Sequence, residues 1–247
     1  MVSVIIPTYN CGQYIEQAVR SALGQTTCEE IEVIVTDDAS TDNTQEIVEQ
    51  LKDSAGRRIR YYANAKNLGA AETRNAGIRV AEGEYVAFLD ADDWWTADKL
   101  EKQIALMGQT KAPLVFTGRE LMRPEGESTG KIISVPETTD YRSLLYTNCI
   151  PCSSVLMKTQ TAKEFYFCHD ELHEDYILWL RVLKKYGSAY GINEPLLKSR
   201  LSEGGKSRNK FKSAKMHYGV YKYMGIPAWK AAGLFVCYAW NGLKKYR

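Results

Sequence analysis

The sequence lacks several features that would assign a function at once. Its six cysteines have none of the spacings of a disulfide framework, so we expect reduced thiols in a cytosol. One CxxC motif, Cys149 to Cys152, has no second cysteine pair and no nearby histidine, which favours a packed segment over a zinc site. No apolar run approaches the ~18 residues of a membrane span. No positive charge precedes the first apolar residues, which argues against a signal peptide.

Charge of one sign is also scarce. The sequence has 32 Lys and Arg residues against 30 Asp and Glu residues, a formal net charge of +2. A balance this even provides no general attraction to polyanions, so we expect no nucleic-acid partner. The 247 residues, of which 45% are hydrophobic and 25% charged, are typical of a soluble globular protein with one large domain, or one domain with an appendage.

Glycine-rich phosphate loops are missing from the place where nucleotide-binding folds carry them. The first apolar run, Val2–Ile6, continues into the letters PTYNCG, which contain neither GxGxxG nor GxxxxGK[ST]. These absences argue against an NAD site and against a P-loop. If the protein binds nucleotide phosphates, a cation must neutralise them in place of such a loop.

The first half does contain a regular alternation of two periodicities, which is typical of βαβ units and a parallel sheet. We predict strands at Val2–Ile6, Ile31–Thr36, Ile59–Ala63 and Tyr85–Leu89. We predict helices between them at Gln13–Leu23, Asp42–Leu51 and Ala70–Ala81. Open parallel sheets bind ligands beyond the carboxyl ends of their strands, so the residues that follow each strand are the candidates for a site.

Three acids follow the fourth strand within four positions: Asp90, Asp92 and Asp93. Residues two apart in extended chain point to the same side, so the carboxylates of Asp90 and Asp92 converge across the small Ala91. Such a pair suits Mg²⁺ or Mn²⁺ at an open site that leaves positions for phosphate oxygens. The alternative is that these acids cap a helix that begins near Thr96. This alternative gives no role to Asp90.

The second strand ends in Asp37 and Asp38. Adjacent residues point to opposite sides, so at most one of these carboxylates serves the crevice, and the other bonds within the turn. A carboxylate in this position can accept from a base N–H or from ribose hydroxyls.

The second half is less regular. We predict strands at Leu114–Thr117, Ile132–Val135, Ser153–Lys158, Ala189–Ile192 and Leu196–Ser199, and helices at Tyr141–Tyr146 and Glu174–Tyr186. After a polar loop, Ser202–Asn209, the sequence predicts two helices that Gly225 and Pro227 separate, the second at Ala228–Leu243.

Four segments in order resemble the inverting family 2 glycosyltransferases: VSVIIPTYN, EVIVTDDASTDNT, NLGAAETRNAGIRVAEGEYVAFLDADDWW and HEDYILWL. The resemblance implies an α/β GT-A fold, with a Rossmann-like, mostly parallel sheet flanked by helices. It places a nucleotide-sugar-binding half at 1–95, an acceptor-binding half at 96–210 and an amphipathic helical tail at 211–247. It also implies a metal-dependent, inverting hexosyltransferase. This enzyme would move a sugar from a nucleoside diphosphate, with UDP-sugars favoured, to a hydroxyl of a glycan or lipid-linked acceptor. The implied setting is bacterial surface-polysaccharide synthesis, such as O-antigen or capsule.

The resemblance also implies roles for individual residues on the donor side. Asp92 would ligate Mn²⁺ or Mg²⁺, and Asp90 would bind the ribose or a metal-bound water. Asp38 would accept from the nucleobase, and Arg74 would help to hold the nucleotide. The donor-binding residues implied in this way are Pro7, Thr8, Tyr9, Asp38, Asn67, Arg74, Asp90, Ala91 and Asp92.

On the acceptor side, the resemblance makes Asp175 the catalytic base and places Glu174 beside it, toward the acceptor or the donor sugar. A single inverting displacement needs one base for the acceptor hydroxyl, unlike the carboxylate pair of a retaining glycosidase. The start of a helix would lower the pKa of Asp175, and burial would offset this effect. Trp95 and Trp179 either border the acceptor or belong to the core.

The loop before the tail differs from many relatives, because Lys198–Leu201 lacks their Tyr and His. Arg200, Lys206 or Arg208 could contact phosphate instead. With Gly204 and Gly205, this loop could also close over the donor as a lid.

The tail, from Lys210 onward, interleaves aromatic residues with lysines. This composition suits an interfacial helix on an anionic leaflet, which would place a cytoplasmic protein at the inner face of the cell membrane. The alternative is a helix that packs on the body or in a dimer. The sequence leaves both alternatives, and the oligomeric state, open.

Two other functions are compatible with parts of the sequence. A nucleotidyltransferase, such as a sugar-nucleotide pyrophosphorylase, would also pair an α/β sheet with acidic metal ligands, but it would carry a glycine-rich basic loop after the first strand. A catalytically silent glycan-binding module is the other alternative, although the intact set of Asp38, Asp90, Asp92 and Asp175 argues against it.

Overall fold

A computed structural model describes residues 1–55, 58–201 and 210–245. Lys206 and Arg208, two of the predicted phosphate contacts, lie outside these residues, as do the glycines of the predicted lid. The strands are β1 (Val2–Thr8), β2 (Ile31–Asp37), β3 (Ile59–Ala63), β4 (Tyr85–Phe88), β5 (Trp94–Trp95), β6 (Leu114–Met122), β7 (Ser128–Ile133), β8 (Thr138–Asp140), β9 (Leu156–Lys158) and β10 (Ser188–Arg200). The helices are α1 (Ile15–Leu23), α2 (Thr44–Ala55), α3 (Ala70–Val80), α4 (Lys99–Thr110), α5 (Tyr141–Tyr146), α6 (Thr159–Phe165), α7 (Glu174–Tyr186), α8 (Lys210–Tyr223) and α9 (Ala228–Lys245).

Within the described residues, the strands form one sheet in the order β3-β2-β1-β4-β9-β6-β10-β5, with β7 paired to β6 and β8 to β10. The four strands predicted in the first half are all present and pair in parallel, as predicted. In the second half, β9 pairs antiparallel with both β4 and β6. The same sheet therefore runs through the predicted nucleotide-binding and acceptor-binding halves.

Alternate residues of β1 supply the two cores on either side of the sheet. Ile5 belongs to the core under α3 and α7, whereas Val4 and Ile6 belong to the core under α1 and α4. This alternation follows from the period of two in extended chain. Helix α3 lies close to β1, since a Cβ on Gly77 would stand 2.5 Å from Cγ2 of Ile5.

Several elements differ from the sequence prediction. Strand β8 was not predicted, and β7 covers Ser128–Ile133 where a strand was predicted at Ile132–Val135. Trp94 and Trp95 form a short strand paired with β10, so the helix predicted to begin near Thr96 begins at Lys99. The two strands predicted at Ala189–Ile192 and Leu196–Ser199 are one strand, β10, with a register shift against β6 between Ile192 and Leu197. The short helix α6 was not predicted; its seven residues make only about two helical turns.

The tail packs on the body through the inner sides of α8 and α9. Val220, Tyr221, Ala231 and Leu234 are buried in the core that also contains α7. Gly225 adopts the left-handed conformation at φ 72° and ends α8, as its place in the sequence predicted. Among the described residues, no helix is long and apolar enough to cross a membrane.

Candidate active site

The parallel register brings the predicted donor-binding residues to one edge of the sheet. Thr8 at the end of β1 lies opposite Asp37 at the end of β2, and the N–H of Asp38 donates to the Thr8 carbonyl at 2.8 Å. Strand β4 lies on the other side of β1, with Phe88 opposite Ile5, so Asp90 emerges at the same edge. The structure therefore groups the three strand ends as the sequence indicated.

Asp38 is buried and holds the loop that leads into α3. Its carboxylate accepts from the backbone N–H groups of Leu68 and Gly69, both at 2.8 Å, and from the Asn64 amide at 2.9 Å. Asp37 instead bonds locally to the Ser40 N–H. A carboxylate has about four acceptor positions, so Asp38 keeps capacity for one further donor such as a base N–H.

The other residues predicted to bind donor differ in exposure. Pro7 is partly buried, whereas the Tyr9 side chain is 49% exposed at the sheet edge. Asn67 is exposed in the loop that Asp38 anchors. Tyr9 and Asn67 are therefore accessible to a ligand from opposite sides of Asp38.

The turn after β4 places its three acids in different environments. Asp90 and Asp92 are partly exposed, whereas Asp93 is buried and accepts from the Arg200 N–H at 2.9 Å. Burial and the charges of Asp92 and Asp90 raise the pKa of Asp93 well above its usual range. The alternative in which these acids cap a helix is wrong, because β5 intervenes and Asp93 bonds to β10.

Arg200, at the end of β10, stabilises the acidic turn through hydrogen bonds. Its guanidinium donates to the Asp92 carbonyl at 2.9 Å, to the Pro124 carbonyl at 2.5 Å and to the Gln17 amide oxygen at 2.7 Å. The same group lies over the Trp94 ring at 4.8 Å. With these partners, the side chain of Arg200 positions the acidic turn, and its contact with a phosphate stays a prediction.

Arg74 joins the donor side to the catalytic side. From the buried face of α3 it donates to Asp90 at 2.6 Å and to Glu174 at 2.9 Å. Burial lowers the pKa of the guanidinium, but the negative charges of Asp90 and Glu174 outweigh burial and raise it well above its usual range. Arg74 is therefore a permanent cation between two carboxylates.

Asp175 follows Glu174 at the start of α7. Glu174 is buried against Arg74, whereas Asp175 is partly exposed. Removal from water raises the pKa of Asp175 to about 6, and the charge of Glu174 adds to this rise, while His173 and Arg74 oppose it. Its Oδ1 accepts from the Tyr176 N–H at 2.7 Å. A carboxyl group with this pKa is suited to exchange a proton near neutral pH.

The acidic turn fits a divalent cation with an open coordination shell. Among the described residues, no group of three or more His, Cys, Asp or Glu side chains could hold a metal by itself. Asp90 and Asp92 offer hard oxygen donors, and Arg74 pairs with Asp90. Mg²⁺ and Mn²⁺ bind through one or two carboxylates when substrate phosphates and water complete the shell.

The structure also adds residues that the sequence did not single out. Asp170 accepts from the Ala71 N–H at 3.0 Å and so caps α3. Ser153 accepts from the Asp90 N–H at 3.1 Å. Cys152, beside it, is buried close to Arg74, and burial raises the pKa of its thiol. These contacts join segments about 60 to 100 residues apart, and no local sequence pattern indicates them.

Of the two alternatives for Trp95 and Trp179, the structure supports the core and not the acceptor side. The Trp179 side chain is fully buried and packs against Phe88 and Phe167. Trp95 is 4% exposed and donates from Nε1 to the Ser153 carbonyl at 2.7 Å. Both indoles belong to the core because the helix and strand that carry them turn these side chains inward.

Comparison with known proteins identifies the family of this chain. The sequence profile of the family described as Glycosyl transferase family 2 matches residues 3–159. The putative teichuronic acid biosynthesis glycosyltransferase TuaG of Bacillus subtilis (strain 168) is 39% identical over 99% of this chain and 97% of its own length. The Escherichia coli protein UDP-Glc:alpha-D-GlcNAc-diphosphoundecaprenol beta-1,3-glucosyltransferase WfaP is 37% identical over 100% of this chain and 95% of its own length.

Solved structures with the same fold include two glycosyltransferases. TarS of S. aureus, crystallised with UDP-GlcNAc, superposes with a TM-score of 0.75 over 91% of this chain at 23% identity. The mannosyltransferase PcManGT of Pyrobaculum calidifontis, in complex with GDP-Man and Mn²⁺, superposes with a TM-score of 0.71 over 92% of this chain at 20% sequence identity. This chain spans 65% of the TarS chain and 64% of the mannosyltransferase chain. The chain has the GT-A fold and belongs to glycosyltransferase family 2.

Proposed function

We propose that this protein transfers a sugar from a nucleoside diphosphate to an acceptor hydroxyl by a single inverting displacement. The observation that carries the proposal is the link through Arg74, which donates to Asp90 of the acidic turn and to Glu174 beside Asp175. This link holds the predicted donor site and the predicted base at a fixed separation.

In this mechanism the chain positions the leaving group and removes one proton. Asp38 and the loop at Asn67 bind the nucleoside, and Asp90 and Asp92 hold the divalent cation. When bound, the cation supplies positive charge to the departing diphosphate. Asp175 accepts the proton of the acceptor hydroxyl as it attacks the anomeric carbon from the face opposite the diphosphate.

The pairing of Glu174 supports one displacement over two. A double displacement needs a second carboxylate that attacks the sugar carbon. An oxygen of Glu174 is held by the buried Arg74 at 2.9 Å, and Asp93 is buried against the Arg200 N–H. Asp175 is the partly exposed carboxylate of α7, and it takes the role of base.

For the donor we propose a UDP-sugar, since the name of WfaP specifies UDP-Glc and TarS was crystallised with UDP-GlcNAc. For the acceptor we propose a lipid-linked or growing glycan of bacterial surface polysaccharide. The names of TuaG and WfaP refer to teichuronic acid and to a diphosphoundecaprenol acceptor. The chain would act in the cytoplasm, where nucleotide sugars are available.

A thermal-shift screen of UDP-, GDP- and dTDP-sugars with and without Mn²⁺ tests the donor site. We expect a UDP-sugar to raise Tm only when Mn²⁺ is present, and Asp92→Ala to remove this effect. Lack of stabilisation by every donor would overturn the proposal. Transfer to a synthetic polyprenyl-diphosphate-linked sugar, followed by determination of the anomeric configuration by NMR, tests inversion.

A further inference from the structure

Helix α9 carries apolar residues on two opposite sides. Its inner side contributes Ala231 and Leu234 to the core. On the outer side, Trp229 is 79% exposed, Val236 68% and Trp240 61%. At about 100° per residue, the positions of Val236 and Trp240 fall within about 20° of Trp229 around the helix axis. We call these three residues the outer stripe.

The outer stripe is unusual for a helix that serves only to cover a core. Such a helix carries charged and polar residues opposite its buried side. Between Ala228 and Trp240, the exposed positions carry a single charged residue, Lys230, and no acid. Two largely exposed tryptophans and a valine in line form an apolar surface of the kind that a partner covers.

The charge of the tail identifies the class of partner. Residues 210–247 contain eight of the 32 Lys and Arg residues of the sequence and none of its 30 acids. The segment therefore has a net charge of +8, whereas the preceding 209 residues have a net charge of −6. The net charge of the whole chain is close to zero because a positive tail and a negative body nearly cancel. The positive tail is also the segment that carries the exposed aromatic side chains.

We propose that the outer stripe of α9 docks on the surface of an anionic lipid bilayer. Tryptophan is favoured at the boundary between headgroups and acyl chains, and each lysine near an anionic leaflet adds attraction. A second copy of the chain fits this surface less well, because a twofold pair would bring two segments of +8 together. Nucleic acid would satisfy the charge but offers no apolar layer for Val236.

The inner side of α9 is connected to the catalytic side through a stack of rings. His217 of α8 stacks on Tyr238 of α9 at 3.5 Å and on Tyr176 of α7 at 4.8 Å, measured between ring centroids. Tyr176 is the neighbour of Asp175 in the sequence. One layer of rings thus connects the docking helix to the helix of the predicted base, an arrangement suited to an acceptor whose lipid remains in the membrane.

Vesicle co-sedimentation of the full chain tests the proposal without any transfer assay. We expect binding to phosphatidylcholine vesicles that contain phosphatidylglycerol, much weaker binding to phosphatidylcholine alone, and loss of binding as salt rises. The double variant Trp229→Ser/Trp240→Ser should lose about tenfold or more in partition coefficient. Both side chains are largely exposed, so its Tm should fall by only a few degrees, and circular dichroism should show the wild-type fold.

A matched control is Ile132→Ser, which removes a side chain 55% exposed on β7. This variant should bind vesicles as the wild type does. Equal partitioning of the double variant and the wild type would overturn the proposal, as would a dimer in solution that the double variant abolishes. Binding to a single-stranded oligonucleotide that competes fully with the vesicles and depends on both tryptophans would assign the surface to nucleic acid instead. Failure of transfer with retained vesicle binding would count against the proposed function alone.

Discussion

Arg74 donates to two carboxylates from different parts of the chain, and a lysine cannot reproduce this geometry. The two bonds, 2.6 Å to Asp90 and 2.9 Å to Glu174, use both terminal nitrogens of the guanidinium. We expect Arg74→Lys to keep the charge and the fold but to lower kcat/KM by about tenfold or more, because one carboxylate loses its partner. Steady-state kinetics and thermal unfolding measure the two effects.

Arg79→Lys provides the matched control for this substitution. Arg79 lies in the same helix and pairs with Glu72, but both side chains are about half exposed. Exposed pairs contribute little to stability, so this variant should resemble the wild type. Wild-type kcat/KM in Arg74→Lys would show that the double contact has no role in the reaction.

The pKa of Asp175 leads to a prediction about pH. Because the base must be ionised, and burial raises its pKa to about 6, kcat/KM should increase with pH below about 6 and become constant above it. Asp175→Asn should remove this increase of kcat/KM below pH 6 and should lower kcat by about 10²- to 10⁴-fold. The donor should still raise the Tm of this variant in the presence of Mn²⁺. If the residual activity of Asp175→Asn still increased with pH below about 6, Asp175 would be ruled out as the base.

At the scale of elements, the short turn Cys152–Ser154 supports the acidic turn. The Ser153 hydroxyl accepts from the Asp90 N–H, whereas the Ser154 hydroxyl donates to the Pro151 carbonyl within its own turn. We expect Ser153→Ala to raise the Mn²⁺ concentration for half-maximal transfer several-fold. Each lost hydrogen bond costs about 1 kcal/mol of stability. Ser153 also bonds to the buried Asp93 carboxyl group, so Ser154→Ala should be destabilised somewhat less than Ser153→Ala.

The comparison of these two serines distinguishes a specific effect on metal binding from a general loss of protein stability. Metal titrations at saturating donor, together with urea unfolding, supply the two readouts. If Ser154→Ala changes the Mn²⁺ requirement as much as Ser153→Ala does, the effect comes from the stability of the turn and not from the bond to Asp90.

The elements that the sequence predicted are those whose signal is local. Apolar runs predicted β1, β2 and β4, because strands buried on both faces need apolar residues at every position. The prediction of a site at their carboxyl ends followed from parallel pairing alone, and Asp38 and Asp90 lie at this edge. The resemblance then indicated Arg74, although nothing in its segment showed that Glu174 is its partner.

The elements that were missed depend on contacts between distant segments. The polar residues Asn193 to Pro195 predict a break between two strands, but pairing with β6 continues past them through a shift in register. Trp95 and Trp179 have no local feature that distinguishes a core indole from one that stacks on a sugar. Their burial depends on Ser153, Phe88 and Phe167, which are distant in sequence.

At the scale of the whole molecule, the tail is fastened to the body by a buried histidine. His217 is 1% exposed and lies 2.9 Å from the Tyr221 hydroxyl, between the rings of Tyr176 and Tyr238. Burial lowers the pKa of His217 to about 3, and His173 nearby adds to this effect. The imidazole is therefore neutral in the folded protein near neutral pH.

This burial makes the attachment of the tail sensitive to acid. The unfolded chain takes up a proton at His217 below about pH 6.5 and the folded chain does so only near pH 3, so the free energy of unfolding falls as pH decreases between these values. From pH 6.5 to pH 5 the expected loss from this residue is about 2 kcal/mol. His217→Phe keeps an aromatic ring in the stack and should lose about 2 kcal/mol less than the wild type over this interval. His169→Gln, which changes an exposed histidine, should follow the wild type. Urea unfolding at both pH values measures the difference, and equal losses in wild type and His217→Phe would show that another group controls the response to acid.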